Sequence, residues 1–180
     1  MAQSLPVLSH VQAGVQLNDR PIRVLQFGEG NFLRAFVDWM IHRMNAATDF
    51  RSGVAVVQPI PFGRVSDLMQ QDGLYHVLIR GLENGEPIER VERIDVLQQG
   101  INPYEDYAGL LAIAASKELQ FVVSNTTEAG IVYQSEPQPA PGISPESFPA
   151  KVCALLHHRY VELGKKEAPG LIFLPCELIE

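Results

Sequence analysis

Cysteine is almost absent. Cys153 and Cys176 are the only two in 180 residues. Two isolated thiols make no disulfide framework, and both are expected to be reduced and buried. Long apolar runs are missing as well. No stretch approaches the roughly 18 apolar residues of a membrane-crossing helix. The first twenty residues lack the basic leader and apolar core of an export signal, so a cytoplasmic address is expected. Positive charge is scarce: 14 Lys and Arg stand against 21 Asp and Glu, and the longest basic run is Lys165–Lys166. That balance argues against nucleic acid and against an anionic membrane surface as partners, because both need a basic face. The five histidines, His10, His42, His76, His157 and His158, show no metal-ligand spacing with cysteine or acidic residues, so no metal is expected. There is no phosphate-loop lysine motif, no Gly-x-Ser-x-Gly elbow and no internal repeat. Asn125-Thr126-Thr127 matches a glycosylation acceptor in form, without consequence in a cytoplasmic chain.

What remains is an ordinary globular composition, 46% hydrophobic and 19% charged, long enough for one domain with its own core. Residues 1–20 carry no period and are expected to form an N-terminal arm; residues 21–180 form the domain. Short apolar runs at 22–27, 53–57, 121–124 and 171–175 have the texture of strands buried on both faces. After the first run, Leu33, Phe36, Val37, Met40, Ile41 and Met44 lay out one amphipathic helical stripe. Asn84-Gly85, between two strand-like runs, predicts a β-hairpin added to the sheet or packed at its edge. Asn102, Pro103 and Glu105 give the signature of a capped helix. Ser147 predicts the start of another, running to about Leu163 with Gly164 as its stop. Residues 134–147, with four prolines, form a long loop. Helices alternating with short buried strands predict an α/β domain, a mostly parallel sheet with helices on both faces.

The chemistry concentrates in Gly28-Glu29-Gly30, where the first strand hands over to a helix. Strand, Gly-x-Gly, helix is the arrangement that seats a dinucleotide. Gly28 allows the sharp turn, Gly30 allows the backbone to approach a pyrophosphate, and the N–H groups around Asn31 and Phe32 face the charge. The third glycine of the fingerprint is replaced by Leu33, which limits how closely the helix approaches the strand. The acidic residue that would hold the adenosine ribose is also missing: the second strand ends on Gln58, and Asp49 falls in the loop before it. Gln58 can still bond a ribose hydroxyl, and Arg64 is near enough in sequence to meet a 2′-phosphate, so NAD and NADP both stay open on the residues alone. Arg34 either approaches the phosphates or pairs with Asp38 on a solvated helix face. Asn125 and Thr126, after a strand's C-terminal end, offer donors and acceptors to a ribose or nicotinamide; the plainer reading is a polar strand cap. Cys176 is expected to be a small packing residue, since no His–Asp relay activates it.

Four blocks, "QFGEGNFLRAFVDW", "QDGLYHVLIRGL", "SNTTEAGI" and "LPCELIE", resemble the N-terminal, Rossmann-like domain of the long-chain mannitol dehydrogenase family, and within it the branch that reduces the hexuronate tagaturonate. The resemblance spans residues 24–180. It implies an NAD-dependent, metal-independent oxidoreductase that interconverts the ketone and alcohol of a sugar acid. It implies cofactor contacts at Gly28, Glu29, Gly30, Asn31, Phe32, Arg34, Gln58, Asn125 and Thr126. Family members are more than twice this length, and their second, mostly helical domain carries the catalytic lysine with its Asn and His companions. No such motif lies in these residues, so no catalytic residue is assigned here and a C-terminal domain of the same polypeptide is an expected partner. Mannitol-type relatives place an asparagine two residues after the cysteine of the last strand; here that position is Leu178, and the role does not carry over. The alternatives are a sibling acting on fructuronate or a polyol, and a nucleotide-binding module without chemistry.

Overall fold

A computed structural model describes residues 8–14, 19–126, 128–137, 139–164 and 169–177. Five strands, β1 (Ile22–Phe27), β2 (Gly53–Val57), β5 (Leu97–Ile101), β6 (Phe121–Ser124) and β7 (Ile172–Pro175), form one parallel sheet in the order β5-β2-β1-β6-β7. Strands β3 (Tyr75–Glu83) and β4 (Glu86–Ile94) form a separate antiparallel pair. The helices are α1 (Asn31–Ala35), α2 (Val37–Ala47), α3 (Val65–Gln70), α4 (Tyr107–Ala114), α5 (Glu128–Ile131) and α6 (Phe148–Glu162).

The two-residue period of the strands sorts the core into two layers. Val24, Val54, Val56 and Val123 point to the face that carries Leu33, Ile41, Val65 and Leu68. Leu25, Phe27, Ala55, Val57 and Val122 point to the face that carries Leu110, Ile113 and Leu155. Helices therefore cover both faces, and a run such as Gly53–Val57 is buried at every position. The predicted strands fall where the apolar runs lie. No helix among the described residues is long and apolar enough to cross a membrane.

Several elements differ from the sequence expectation. The single helix over the Leu33–Met44 stripe is broken at Phe36 (φ −114°, ψ −71°), which ends α1 and starts α2. The hairpin does form at Asn84-Gly85, where both residues take positive φ (53° and 86°). It does not extend the main sheet: Tyr75, Val77 and Ile94 pack against the α2 face, and the Trp39 indole donates to Glu92 (2.7 Å). The helix predicted from Asn102 begins four residues late. The Asn102 side chain instead accepts from Tyr104 N (3.1 Å), and Asp106 is the true cap, accepting from Gly109 N (2.8 Å). Strand β5 and helix α3 have no counterpart in the sequence reading, because "LQQGI" and "VSDLMQ" are short and half polar. Ser147 and Gly164 do bound α6: Ser147 Oγ accepts from Ala150 N (3.3 Å), and Gly164 takes φ 79°. The cysteines are free but not buried as expected. Cys153 is exposed on α6, and Cys176 is half-buried after β7.

Candidate dinucleotide-binding site

Strand order changes direction between β1 and β6, the place where an open α/β sheet forms a ligand crevice beyond its carboxyl ends. The Gly28 turn and the Asn125-Thr126 segment meet there. Asn125 N donates to Phe27 O (3.2 Å), Gly28 N donates to Val57 O (3.0 Å), and the Asn125 carbonyl lies 3.4 Å from where a Gly28 Cβ would sit. Gly28 has φ 120°, a conformation that side-chain-bearing residues avoid. Leu33, in place of a third glycine, closes the underside of the turn: its Cδ1 lies 3.4 Å from the same point. Asp49 lies before β2, at the opposite end of the sheet.

Gly30 is different. Its backbone is ordinary extended chain (φ −69°, ψ 165°), and a Cβ there would meet nothing within 4 Å. Neither the backbone nor the packing of the protein requires glycine at this position. It keeps open a space that a side chain would fill, beside the first turn of α1, which has no side-chain cap.

Arg34 folds back under the turn. Its Nε donates to Glu29 O (3.0 Å), it also bonds Asn31 Oδ1, and the guanidinium lies over the Tyr75 ring (5.4 Å). Arg34 and Asp38 do not form a solvated surface pair, because Asp38 is completely buried. Asp38 Oδ2 lies 3.0 Å from the Tyr75 hydroxyl and 3.5 Å from Gln26 Nε2; Tyr75 also bonds Arg34 O (2.9 Å), and Gln26 Nε2 donates to Gly28 O (3.1 Å). Burial lifts the Asp38 carboxyl to about 7, against the lowering effect of its hydrogen bonds and of Arg34. One hydroxyl hydrogen cannot serve both acceptors of Tyr75. Tyr75 Oη thus stands between Asp38 Oδ2 and Arg34 O and donates to one of them at a time. Burial raises the tyrosine as well. This network braces the turn from beneath, and the sequence reading missed it. The available signal was a carboxylate one helical turn before Ile41, on the core-facing side.

The remaining predicted residues are spread along the same rim. Phe32 is half exposed and stacks on Phe36 (5.3 Å between ring centres). Glu29 Oε1 accepts the backbone N–H of Arg64 (3.2 Å). Gln58 stands at the end of β2, but its amide nitrogen is committed to the carbonyls of Ile60 (3.0 Å) and Pro61 (3.2 Å). Asn125 Nδ2 donates to Cys176 O (2.6 Å), and Thr126 N to Glu177 Oε1 (3.4 Å). Thr126 Oγ1 and Glu177 Oε2 are buried without a hydrogen-bond partner among the described residues. Thr127, the Glu128 side chain and Leu178 lie outside the described residues. Burial, and then Glu177, push the Cys176 thiol up, which disfavours a nucleophilic thiolate. Between the ends of β2 and β5 lies a cavity of about 280 Å³, lined by Gln58, Pro61, Phe62, Gly63, Ser66 and Asn102 among others. A second group not legible in sequence ties down the start of the loop after β2: buried Lys151 donates to Tyr104 Oη (3.1 Å), and Tyr104 donates to Pro59 O (3.2 Å).

The model for the mannitol dehydrogenase Rossmann domain matches residues 22–180. The chain belongs to the mannitol dehydrogenase family. Within this family it is 48% identical over 162 residues to altronate oxidoreductase of Phocaeicola vulgatus, covering 89% of the chain and 33% of that enzyme. It is 42% identical over 166 residues to altronate oxidoreductase of Bacillus subtilis, with the same coverage. The chain thus spans about a third of the length of these curated relatives. The fold superposes on mannitol 2-dehydrogenase of Pseudomonas fluorescens, solved as a ternary complex with NAD and D-mannitol (TM-score 0.70, 20% identity, 90% of this chain and 35% of that one). It also superposes on a D-sorbitol dehydrogenase (TM-score 0.67, 18% identity, 89% and 34%).

Proposed function

We propose that this mannitol dehydrogenase-family chain is the NAD-binding domain of an oxidoreductase that reduces D-tagaturonate to D-altronate. The observation that carries the cofactor assignment is Gly30: a glycine that the protein's own packing does not need, at the switch point of a parallel sheet. The name of the altronate oxidoreductase relatives supports the substrate class.

When bound, the dinucleotide supplies hydride chemistry at its nicotinamide ring. The chain's own residues bind and orient it. Gly28 to Phe32 present backbone N–H groups and an open face to the pyrophosphate. Arg34 fixes the turn through the Glu29 carbonyl and adds positive charge beneath it. The cavity beside Gln58 would take the adenine end. Asn125 and Thr126, whose hydroxyl has no partner among the described residues, would stand at the nicotinamide end. The general acid for the carbonyl oxygen is assigned to a lysine outside this chain. The partner domain that carries it is proposed to cover the apolar groove of about 390 Å³ between α2 and β6–β7, lined by Phe36, Met40, Met44 and Leu174. Right-handed crossovers send α4 and α6 to the other face, and among the described residues they leave this one uncovered over β6–β7.

A panel of D-tagaturonate, D-fructuronate and D-fructose, tested with NADH on the protein expressed from its complete reading frame, checks the assignment. Oxidation of NADH fastest with tagaturonate is expected. Faster turnover of fructuronate or fructose would move the protein to a sibling activity, and none with any of the three would remove the enzymatic reading.

A further inference from the structure

The usual place for an acidic ribose ligand, the end of β2, holds a glutamine whose amide nitrogen is spent on its own loop. An acid reaches the same ground from the opposite side. Glu29, between the two glycines of the turn, extends toward the loop after β2, and its Oε1 takes the Arg64 N–H (3.2 Å). A Cβ placed on Gly63 would collide with Glu29 Oε1 and with Gln58 Cδ together. The carboxylate and the glutamine therefore meet over Gly63, a lining residue of the cavity between β2 and β5. A dinucleotide with its pyrophosphate on Gly30 and its adenine in that cavity would carry its adenosine ribose past Gly63 and the Glu29 carboxylate. The Arg64 guanidinium is turned to Asp67 (3.1 Å) and is 80% exposed, and Arg34 bonds the Glu29 backbone carbonyl, not its carboxylate.

We infer that Glu29 is the specificity-determining residue that favours NAD over NADP. It accepts hydrogen bonds from the ribose hydroxyls and repels a 2′-phosphate. The inference rests on the dinucleotide reading above.

Calorimetric titration of NAD⁺ and of NADP⁺, without substrate, into the protein from its complete reading frame tests it. Glu29→Gln keeps an oxygen for the Arg64 N–H and removes the charge. It should shift the ratio of the two Kd values toward NADP by about tenfold, the size of one like-charge contact a few ångströms away at a partly exposed site. Glu29→Asp, which keeps the charge, should hold the wild-type side of that ratio. Gln58→Ala should weaken both ligands alike. If wild type binds NAD⁺ and Glu29→Gln leaves the ratio within twofold, the Glu29 assignment alone is overturned. If wild type binds neither dinucleotide, the underlying site reading falls with it.

Discussion

Two glycines two positions apart do different jobs. Gly28 is required by the chain itself, because φ 120° suits no other residue. Gly28→Ala is expected to cost about 1–3 kcal/mol of stability, read from urea unfolding, whether or not any ligand is present. Both glycines were legible in the sequence. What was not legible is that only the first serves the fold, since that depends on φ and on the neighbouring atoms. Asp38 was misread for a related reason. Its spacing from Arg34 suggests a surface pair, and only the docking of Tyr75 from the hairpin shows that it is buried. Its proton has a consequence for stability. Burial pushes the folded carboxyl up to about 7 from its ordinary 3.8, so the folded state holds an extra proton between those values. Stability is therefore greatest at low pH for this group, falls as pH rises through the interval, and is lowest above it, by an amount on the order of 4 kcal/mol. Asp38→Asn removes the titration. The urea midpoint of the variant relative to wild type should rise between about pH 4 and pH 7 and level off above. A difference that stays flat across that range would show that Asp38 does not titrate there.

At the level of elements, strands buried on both faces were the most legible. Gly53–Val57 and Phe121–Ser124 are short unbroken apolar runs in sequence and central strands in space. Strand β5 occupies the edge beside β2 with Gln98, Gln99 and Gly100 at its centre, so its run carries no apolar signal. The start of α4 shows how a correct-looking signature is outcompeted. Asn102 closes a local turn onto Tyr104, its carbonyl takes the N–H groups of Glu105 and Asp106, and the helix waits for Asp106. Asp106→Ala should lower stability by about 1 kcal/mol, and Asn102→Ala by less, in paired denaturant melts. An equal or larger loss at Asn102 would restore it as the cap. In the hairpin, Gly85 at φ 86° should resist substitution: Gly85→Val is expected to destabilise by about 1 kcal/mol or more.

Across the whole molecule, the site exists because strand order brings distant residues to one rim. Glu29 and Arg64 are 35 positions apart, and Asn125 and Cys176 are 51 apart. Local pattern names the candidates but carries no information on the order β5-β2-β1-β6-β7, which sets the β1 end beside the β6 end. For the same reason the partner of Glu29 had to come from the fold, as did the bracing by Tyr75 and Lys151. The central claim is that the Gly28–Gly30 turn holds a pyrophosphate, and Gly30 isolates it, since its Cβ would touch no atom of the protein. NADH titrated calorimetrically into wild type and Gly30→Val, with thermal melts of both, is the decisive measurement. Binding should weaken by at least about tenfold while the melting temperature stays close to that of wild type; a Gly30→Val protein that keeps wild-type affinity for NADH would mean that the ligand does not sit on this turn.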